Sequence, residues 1–270
     1  MADGAFRVDT GRPNNARTYD YLLGGKDNFD VDRQAVAALL SVAPQLGDVA
    51  KDLRRWSQRA VRFLTAECGI TQFLDCGSGL PTMQNTHQVA QVINPDARVV
   101  YVDNDPAVVV HSRVLLQGEN NTRFVEGDLR RPDELLDDPA IRGFLELDQP
   151  IALIQVATID YVETFVDKKA IMAGYVDRLA SGSYVAMTHV FDPDDGSELS
   201  GLAKRIDAVM PPGALRLHPG DEAEIRTLFA GLELADPGLV PPYRWWPQGP
   251  TVQPVDPLYE LVLSGVGRKA

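Results

Sequence analysis

Between residues 72 and 190 the chain alternates short apolar runs with longer segments of helical spacing, and this alternation restricts the fold more than any other feature. The runs Gln72–Cys76, Arg98–Asp103, Thr122–Glu126, Pro150–Ala157 and Ser183–His189 read as buried strands. Helical stretches lie between and after them, at Thr82–Ile93, Pro106–Gly118, Asp133–Leu147 and Glu163–Ala180. Strand–helix alternation predicts a parallel sheet with helices on its faces. Before it, residues up to about Cys68 read as helical, with apolar spacing over Asp30–Val42 and Gly47–Glu67 punctuated by Pro44 and Gly47. After it, a helix at Glu222–Ala230 precedes strands at Leu232–Asp236 and Leu258–Val266 with only a Pro-rich loop between them. Two late strands without an intervening helix predict an antiparallel hairpin at the sheet edge. The expected architecture is α/β: a core over residues 69–270 built on a mostly parallel seven-stranded sheet, with a helical cap or lid over residues 1–68.

In open α/β sheets, ligands bind beyond the carboxyl ends of the strands, so the residues after each strand are the candidates. The first strand runs into Asp75-Cys76-Gly77-Ser78-Gly79-Leu80-Pro81-Thr82. Gly77 and Gly79 can take positive φ and let a ligand approach the backbone around Ser78. A dinucleotide fingerprint has a third glycine where Thr82 stands, which argues against NAD and a dehydrogenase. Asp75 would repel a pyrophosphate but balance an ammonium or a sulfonium; its other reading is a cap for the following turn. Asp103, beside Asn104, ends the second strand 24 residues after Gly79, near the spacing at which an acid accepts ribose hydroxyls. Asp128 follows the third strand, where it can accept an adenine amine while Leu129 covers the ring; taken alone it reads as a turn aspartate. Gln155, at the fourth strand, either binds polar groups at the same site or is structural. Carboxylates after three successive strands together describe a nucleoside site.

The formal net charge of −12 makes nucleic acid a poor partner. No apolar run reaches the roughly 18 residues of a membrane span, and Met1–Thr10 lacks the pattern of a secretory signal. Cytoplasmic location is the expectation. Cys68 and Cys76 suggest neither a disulfide framework nor a zinc site, and no metal is expected.

With these residues in view, the chain resembles the class I S-adenosylmethionine-dependent methyltransferases, and more closely an actinobacterial family of them, the DUF574-like proteins. Three stretches carry the resemblance, which runs over nearly the whole chain: Ala16-Arg17-Thr18-Tyr19-Asp20-Tyr21-Leu22-Leu23-Gly24-Gly25-Lys26-Asp27-Asn28-Phe29 with Asp32-Arg33, then Asp75 to Thr82, then Tyr259-Glu260-Leu261-Val262-Leu263-Ser264-Gly265. It implies a Rossmann-like methyltransferase fold and S-adenosylmethionine bound at Asp75, Gly77, Gly79, Asp103 and Asp128. It also implies an N-terminal segment folded over the cofactor, with Tyr19, Tyr21, Gly24 and Gly25 as lid residues; Gly24 alone reads equally as a helix end. Many relatives carry a Leu-His pair after the fourth strand, where this chain has Ile159-Asp160.

The expected reaction is in-line methyl transfer to a small-molecule acceptor, with no nucleic-acid or membrane partner. The alternative is a non-catalytic, regulatory S-adenosylmethionine-binding protein. The donor is already activated, so positioning is the main task. If the acceptor must lose a proton, the candidates are Asp160, His189 and Tyr161. His189 also reads as a satisfied structural histidine. Trp245-Trp246 is a candidate pocket wall or subunit contact. The acceptor and the oligomeric state are not written in these residues.

Overall fold

The computed structural model describes residues 8–81, 84–116, 118–210, 216–245 and 255–270. Thr82, where a third glycine would stand, and Trp246 lie outside the described residues. Among the described residues, seven strands form one sheet in the order β3-β2-β1-β4-β5-β7-β6. They are β1 (Gln72–Cys76), β2 (Arg98–Asp103), β3 (Thr122–Glu126), β4 (Ala152–Gln155), β5 (Tyr184–Val190), β6 (Leu232–Leu234) and β7 (Val262–Lys269). The first five run parallel; β7 is antiparallel to both β5 and β6, so it is inserted between the two. The helices are α1 (Asn15–Leu22), α2 (Asp30–Val42), α3 (Leu46–Ala66), α4 (Thr86–Ile93), α5 (Pro106–Leu115), α6 (Pro132–Leu136), α7 (Pro139–Arg142), α8 (Phe165–Arg178), α9 (Glu198–Val209) and α10 (Glu222–Thr227).

The central strands are buried on both faces because they are apolar at successive positions. Leu74, Val100, Leu153, Val185 and Met187 pack with Ile171, Met172 and Tyr175 of α8 on one face. Phe73, Val99, Ile154 and Ala186 pack with Trp56, Ala60, Val61 and Leu64 of α3 on the other. The third helix therefore lies directly against the sheet. Trp245 joins this second layer, edge-on to Trp56 at 6.1 Å and Phe63 at 5.7 Å. It is fully buried, so it contributes to the core rather than to a pocket wall.

Three predicted segments differ most, and several others end two or three residues short of their expected bounds. The stretch expected as one helix over Asp133–Leu147 is split into α6 and α7. Pro139 brings no N–H to continue α6, and Asp138 instead caps α7, accepting from Ala140 N at 2.7 Å. The last strand begins at Val262 rather than Leu258. Asp256 and Pro257 start a 3₁₀ turn over Pro257–Leu261, closed by Leu258 N donating to Asp256 at 2.9 Å. Helix α4 starts at Thr86, where Asn85 N donates to Gln88 Oε1 in a capping box.

The N-terminal helices are held by two buried carboxylates. Asp32 accepts from Arg17 Nε at 2.8 Å, Phe29 N at 2.9 Å and Asn14 N at 3.0 Å, which locks α1 against the start of α2. Asp20 accepts from Asp27 N and Asn28 Nδ2, both at 2.9 Å, which folds the loop after α1 back onto it. A Cβ on Gly25 would come within 1.9 Å of the Asp20 carboxylate. Glycine is needed there for close packing.

Candidate cofactor and acceptor site

The register aligns Asp75 with Tyr101 and Asp103 with Glu126, so the tips of β1, β2 and β3 end side by side. A cleft of about 440 Å³ opens across them and extends to the tip of β4. Its floor holds Asp75, Gly77, Ser78 and Gly79 from β1, Asp103 and Asn104 from β2, and Asp128 and Leu129 from β3. The segment after β4 adds Val156, Ala157, Thr158 and Tyr161. Asn14, Asn15 and Tyr19 of the α1 region, with Arg54 and Ser57 of α3, close it from the opposite side.

The two glycines serve different ends. Gly77 has φ +74°, and a Cβ there would meet Thr158 Cγ2 at 2.4 Å, so it lets β1 and β4 loops touch. Gly79 has φ +65° with nothing within 4 Å, leaving open space on the cleft side. Gly79 N donates to Asp103 Oδ2 at 2.9 Å, and Asp105 N donates to Asp103 Oδ1 at 2.9 Å, which fixes the Asp103 carboxylate in place on the floor. Asp105 caps α5 and also accepts from Asn14 Nδ2, a bond that ties the cap to the sheet across the cleft.

Burial dominates the electrostatics. It pushes the Asp75 carboxyl up to about 6, with the Thr86 hydroxyl, donating at 2.6 Å, and Arg54 only partly offsetting it. Burial also raises Asp103, against the N–H groups of Asp105 and Gly79. Asp128 goes the other way: Arg130 clasps its carboxylate and holds it below the usual range. The floor thus holds two carboxylates short of compensating charge. Three buried polar atoms without a partner line the same cleft: Asn15 Oδ1, Arg54 Nε and Thr158 Oγ1. Buried polar groups are ordinarily paired, so a cluster of orphans in one concavity fits a polar ligand. The donor set suits an amino-acid nucleoside: a cation for a carboxylate, carboxylates for an ammonium, a ribose diol and an amine, and an apolar leucine for a ring.

A model of the S-adenosyl methyltransferase family (Methyltransf_19) matches residues 1–270. The chain belongs to this family. It is an S-adenosylmethionine-dependent methyltransferase. A candidate methyltransferase from Thermobifida fusca is similar in structure at 39% identity and a TM-score of 0.90, over 97% of each chain. A DUF574 family protein from Streptomyces avermitilis is similar at 36% identity and a TM-score of 0.88, over 98% of this chain and 100% of that one. The N-methyltransferase NodS from Bradyrhizobium japonicum, with S-adenosyl-L-homocysteine, shares the fold at 12% identity and a TM-score of 0.52, over 95% of this chain and 99% of that one. No curated protein matches the chain.

Not every sequence candidate of this methyltransferase reaches the cleft. Tyr21, Gly24 and Gly25 do not line it; Gly24, at φ +83°, ends α1 by donating to Tyr21 O at 3.0 Å. Gln155 is fully buried outside the cleft, with neither amide atom paired. His189 is also buried outside it. Its Nδ1 donates to Val190 O at 2.7 Å, and its Nε2 lies 2.9 Å from Lys168 Nζ. Burial holds this imidazole below its ordinary pKa, hence neutral, and both nitrogens are occupied.

Asp160 borders a second, smaller cavity that shares Tyr19, Ala157 and Tyr161 with the first. Its Oδ1 accepts from Val190 N at 2.6 Å. Tyr161 lines both cavities, and burial, with Asp160 beside it, raises its phenol well above the usual range. Burial likewise pushes Tyr19 up to about 12. Both phenols remain protonated at neutral pH. They can donate a hydrogen bond but are unsuited to removing a proton. Arg54, Ser57, Asn14, Asn15 and Thr158 were not foreseen. Arg54 is one of several arginines along α3, and nothing in their spacing marks the one that faces the cleft.

No helix among the described residues is long and apolar enough to cross a membrane.

Proposed function

We propose that this methyltransferase acts on a small molecule, with the donor held across the tips of β1 to β4 and the acceptor beyond Tyr161. The convergence of three carboxylates and three unpartnered polar atoms on one cleft carries this reading. In it, Arg54 holds the cofactor's carboxylate, Asp75 its ammonium, Asp103 the ribose hydroxyls and Asp128 the adenine amine, with Leu129 on the ring. S-adenosylmethionine, when bound, supplies a methyl group activated by its sulfonium for in-line transfer.

The chain's own contribution is positioning and exclusion of water. Helices α1 and α2 act as the cap, while α3, expected within a cap over residues 1–68, packs on the sheet as part of the core, and Tyr19 and Tyr161 form the wall between donor and acceptor. Asp160 is the carboxylate placed to orient the acceptor or take its proton. His189 acts behind it, with Nδ1 3.6 Å from Asp160 Oδ1 and both groups bonded to the backbone of Val190. A cytoplasmic setting fits the two free cysteines.

Calorimetric titration with S-adenosylmethionine, S-adenosylhomocysteine and NAD tests the cofactor assignment: the two adenosyl compounds bind and NAD does not. Release of S-adenosylhomocysteine with a panel of neutral acceptors then separates turnover from binding alone.

A further inference from the structure

The second cavity is chemically unlike the first. Its volume is about 180 Å³, and its walls are side chains such as Val36, Leu39, Val49, Leu53, Ile206 and Leu258. They come from α2, α3, α9 and the 3₁₀ turn before β7, four elements packed together beyond the β4 and β5 tips. Helix α1 lies between the two cavities: Asn15, Ala16 and Tyr19 border the cofactor cleft, while Thr18, Tyr19 and Leu22 border the apolar one. This follows from helical spacing, since residues three and four apart share a face.

The cavity has few polar groups, and two of them are already engaged. Asp207 is paired with Arg216 at 2.8 Å, and the Tyr19 hydroxyl donates to Ala50 O at 3.2 Å. Asp160 differs. Its Oδ1 takes Val190 N and lies 3.6 Å from His189 Nδ1, while its Oδ2 has no hydrogen-bond partner among the described residues. A carboxylate oxygen left open in an apolar cavity wants a donor. An apolar cavity of about 150 Å³ is known to accept a benzene-sized molecule, so this one fits a single ring with one or two substituents.

We propose that the second cavity holds the methyl acceptor, and that the acceptor is a small, uncharged, largely apolar molecule of single-ring size presenting one hydroxyl or amine hydrogen to Asp160 Oδ2. This rests on the methyl-transfer reading for its meaning, though the cavity's selectivity is measurable without turnover. A carboxylate-bearing ring is excluded by repulsion from Asp160 and by the cost of burying a charge among aliphatic side chains. A hydroxyl or a neutral amine satisfies Asp160 equally in geometry, and the test separates them.

The experiment uses full-length protein saturated with S-adenosylhomocysteine. Binding of 4-methylphenol, 4-methylaniline, toluene and 4-methylbenzoate is followed by calorimetry and ligand-observed NMR. The phenol or the aniline binds at least tenfold more tightly than the benzoate, and whichever is tighter names the polar group. Asp160→Asn weakens the phenol or aniline about tenfold and leaves toluene unchanged. Ala203→Phe or Ala35→Phe, which fill the cavity from α9 or α2, abolish binding of the rings while S-adenosylhomocysteine affinity stays within twofold. Two results overturn the proposal: no neutral ring binds the wild-type protein, or the rings bind both filled variants as tightly as they bind wild type. If S-adenosylhomocysteine itself does not bind the wild-type protein, the methyl-transfer reading fails separately.

Discussion

Asp75 carries a cost in the empty protein that the cofactor is expected to remove, and its replacement by asparagine measures that cost. Its carboxyl is raised by burial from 3.8 to about 6, so the folded chain binds that proton more tightly than the unfolded chain does. Stability from this group is fully present below pH 3.8 and is lost as pH rises through about 6. The displacement corresponds to about 3 kcal/mol at pH 8. An asparagine at this position would keep an acceptor for the Thr86 hydroxyl without the charge. Asp75→Asn without ligand is therefore more stable than wild type by up to about 3 kcal/mol at pH 8, by about half of that at pH 5, and by almost nothing below 3.8. At roughly 2–4 °C per kcal/mol for a chain of this size, the gain at pH 8 is roughly 6–12 °C in Tm. The same substitution removes a charged partner for the cofactor's ammonium and weakens S-adenosylhomocysteine binding by about 1.5–3 kcal/mol. Urea unfolding of both proteins from pH 4 to 8, followed by tryptophan fluorescence, with calorimetry at pH 8, reads both effects. A variant no more stable than wild type at pH 8, or a difference that does not change with pH, would refute the burial argument.

Further outcomes follow from the same geometry. Asp103→Ala weakens S-adenosylmethionine binding by about 1.5–3 kcal/mol through the lost ribose contact; unchanged affinity by calorimetry rejects that role. Asp32→Ala leaves Arg17 buried without its 2.8 Å partner and costs about 3–5 kcal/mol. Limited proteolysis of that variant should cut within the first helices well before the sheet. Lys168 is fully buried, and burial holds its ammonium down to about 8 from 10.5. The folded chain thus binds this proton less tightly, so stability rises as pH climbs from about 8 toward 10.5. Lys168→Met abolishes that rise; guanidinium unfolding curves at pH 8 and 9.5 for both proteins decide it.

The sequence by itself determined the layered fold and the residues on the floor of the cleft. Strands buried on both faces must be apolar at successive positions, so β1 and β2 are readable residue by residue; the edge strand β3, half-exposed, shows only Phe124 and Val125, and Asp75, Asp103 and Asp128 follow from where each run stops. Those signals are local: a glycine pair, a strand end, an acid at a fixed offset. Pro139 and Pro257 also announced their breaks, but apolar spacing on either side masked them.

Only the tertiary structure decided what stands opposite that floor. Arg54, Ser57 and Asn15 lie on helices whose patterns report burial and not direction toward a ligand, and they meet the carboxylates only once α1 and α3 pack around the strand tips. The N-terminal motif divides for the same reason. Tyr19 reaches both cavities, whereas Tyr21, Gly24 and Gly25 do not line the cleft, and Gly25 is packed against Asp20 within the cap. His189 sits one residue from a strand end, as a site residue should, yet its side chain points into the layer holding Lys168. Strand periodicity says that a side chain is on one face; which partners wait on that face is set by contacts between residues far apart in the chain.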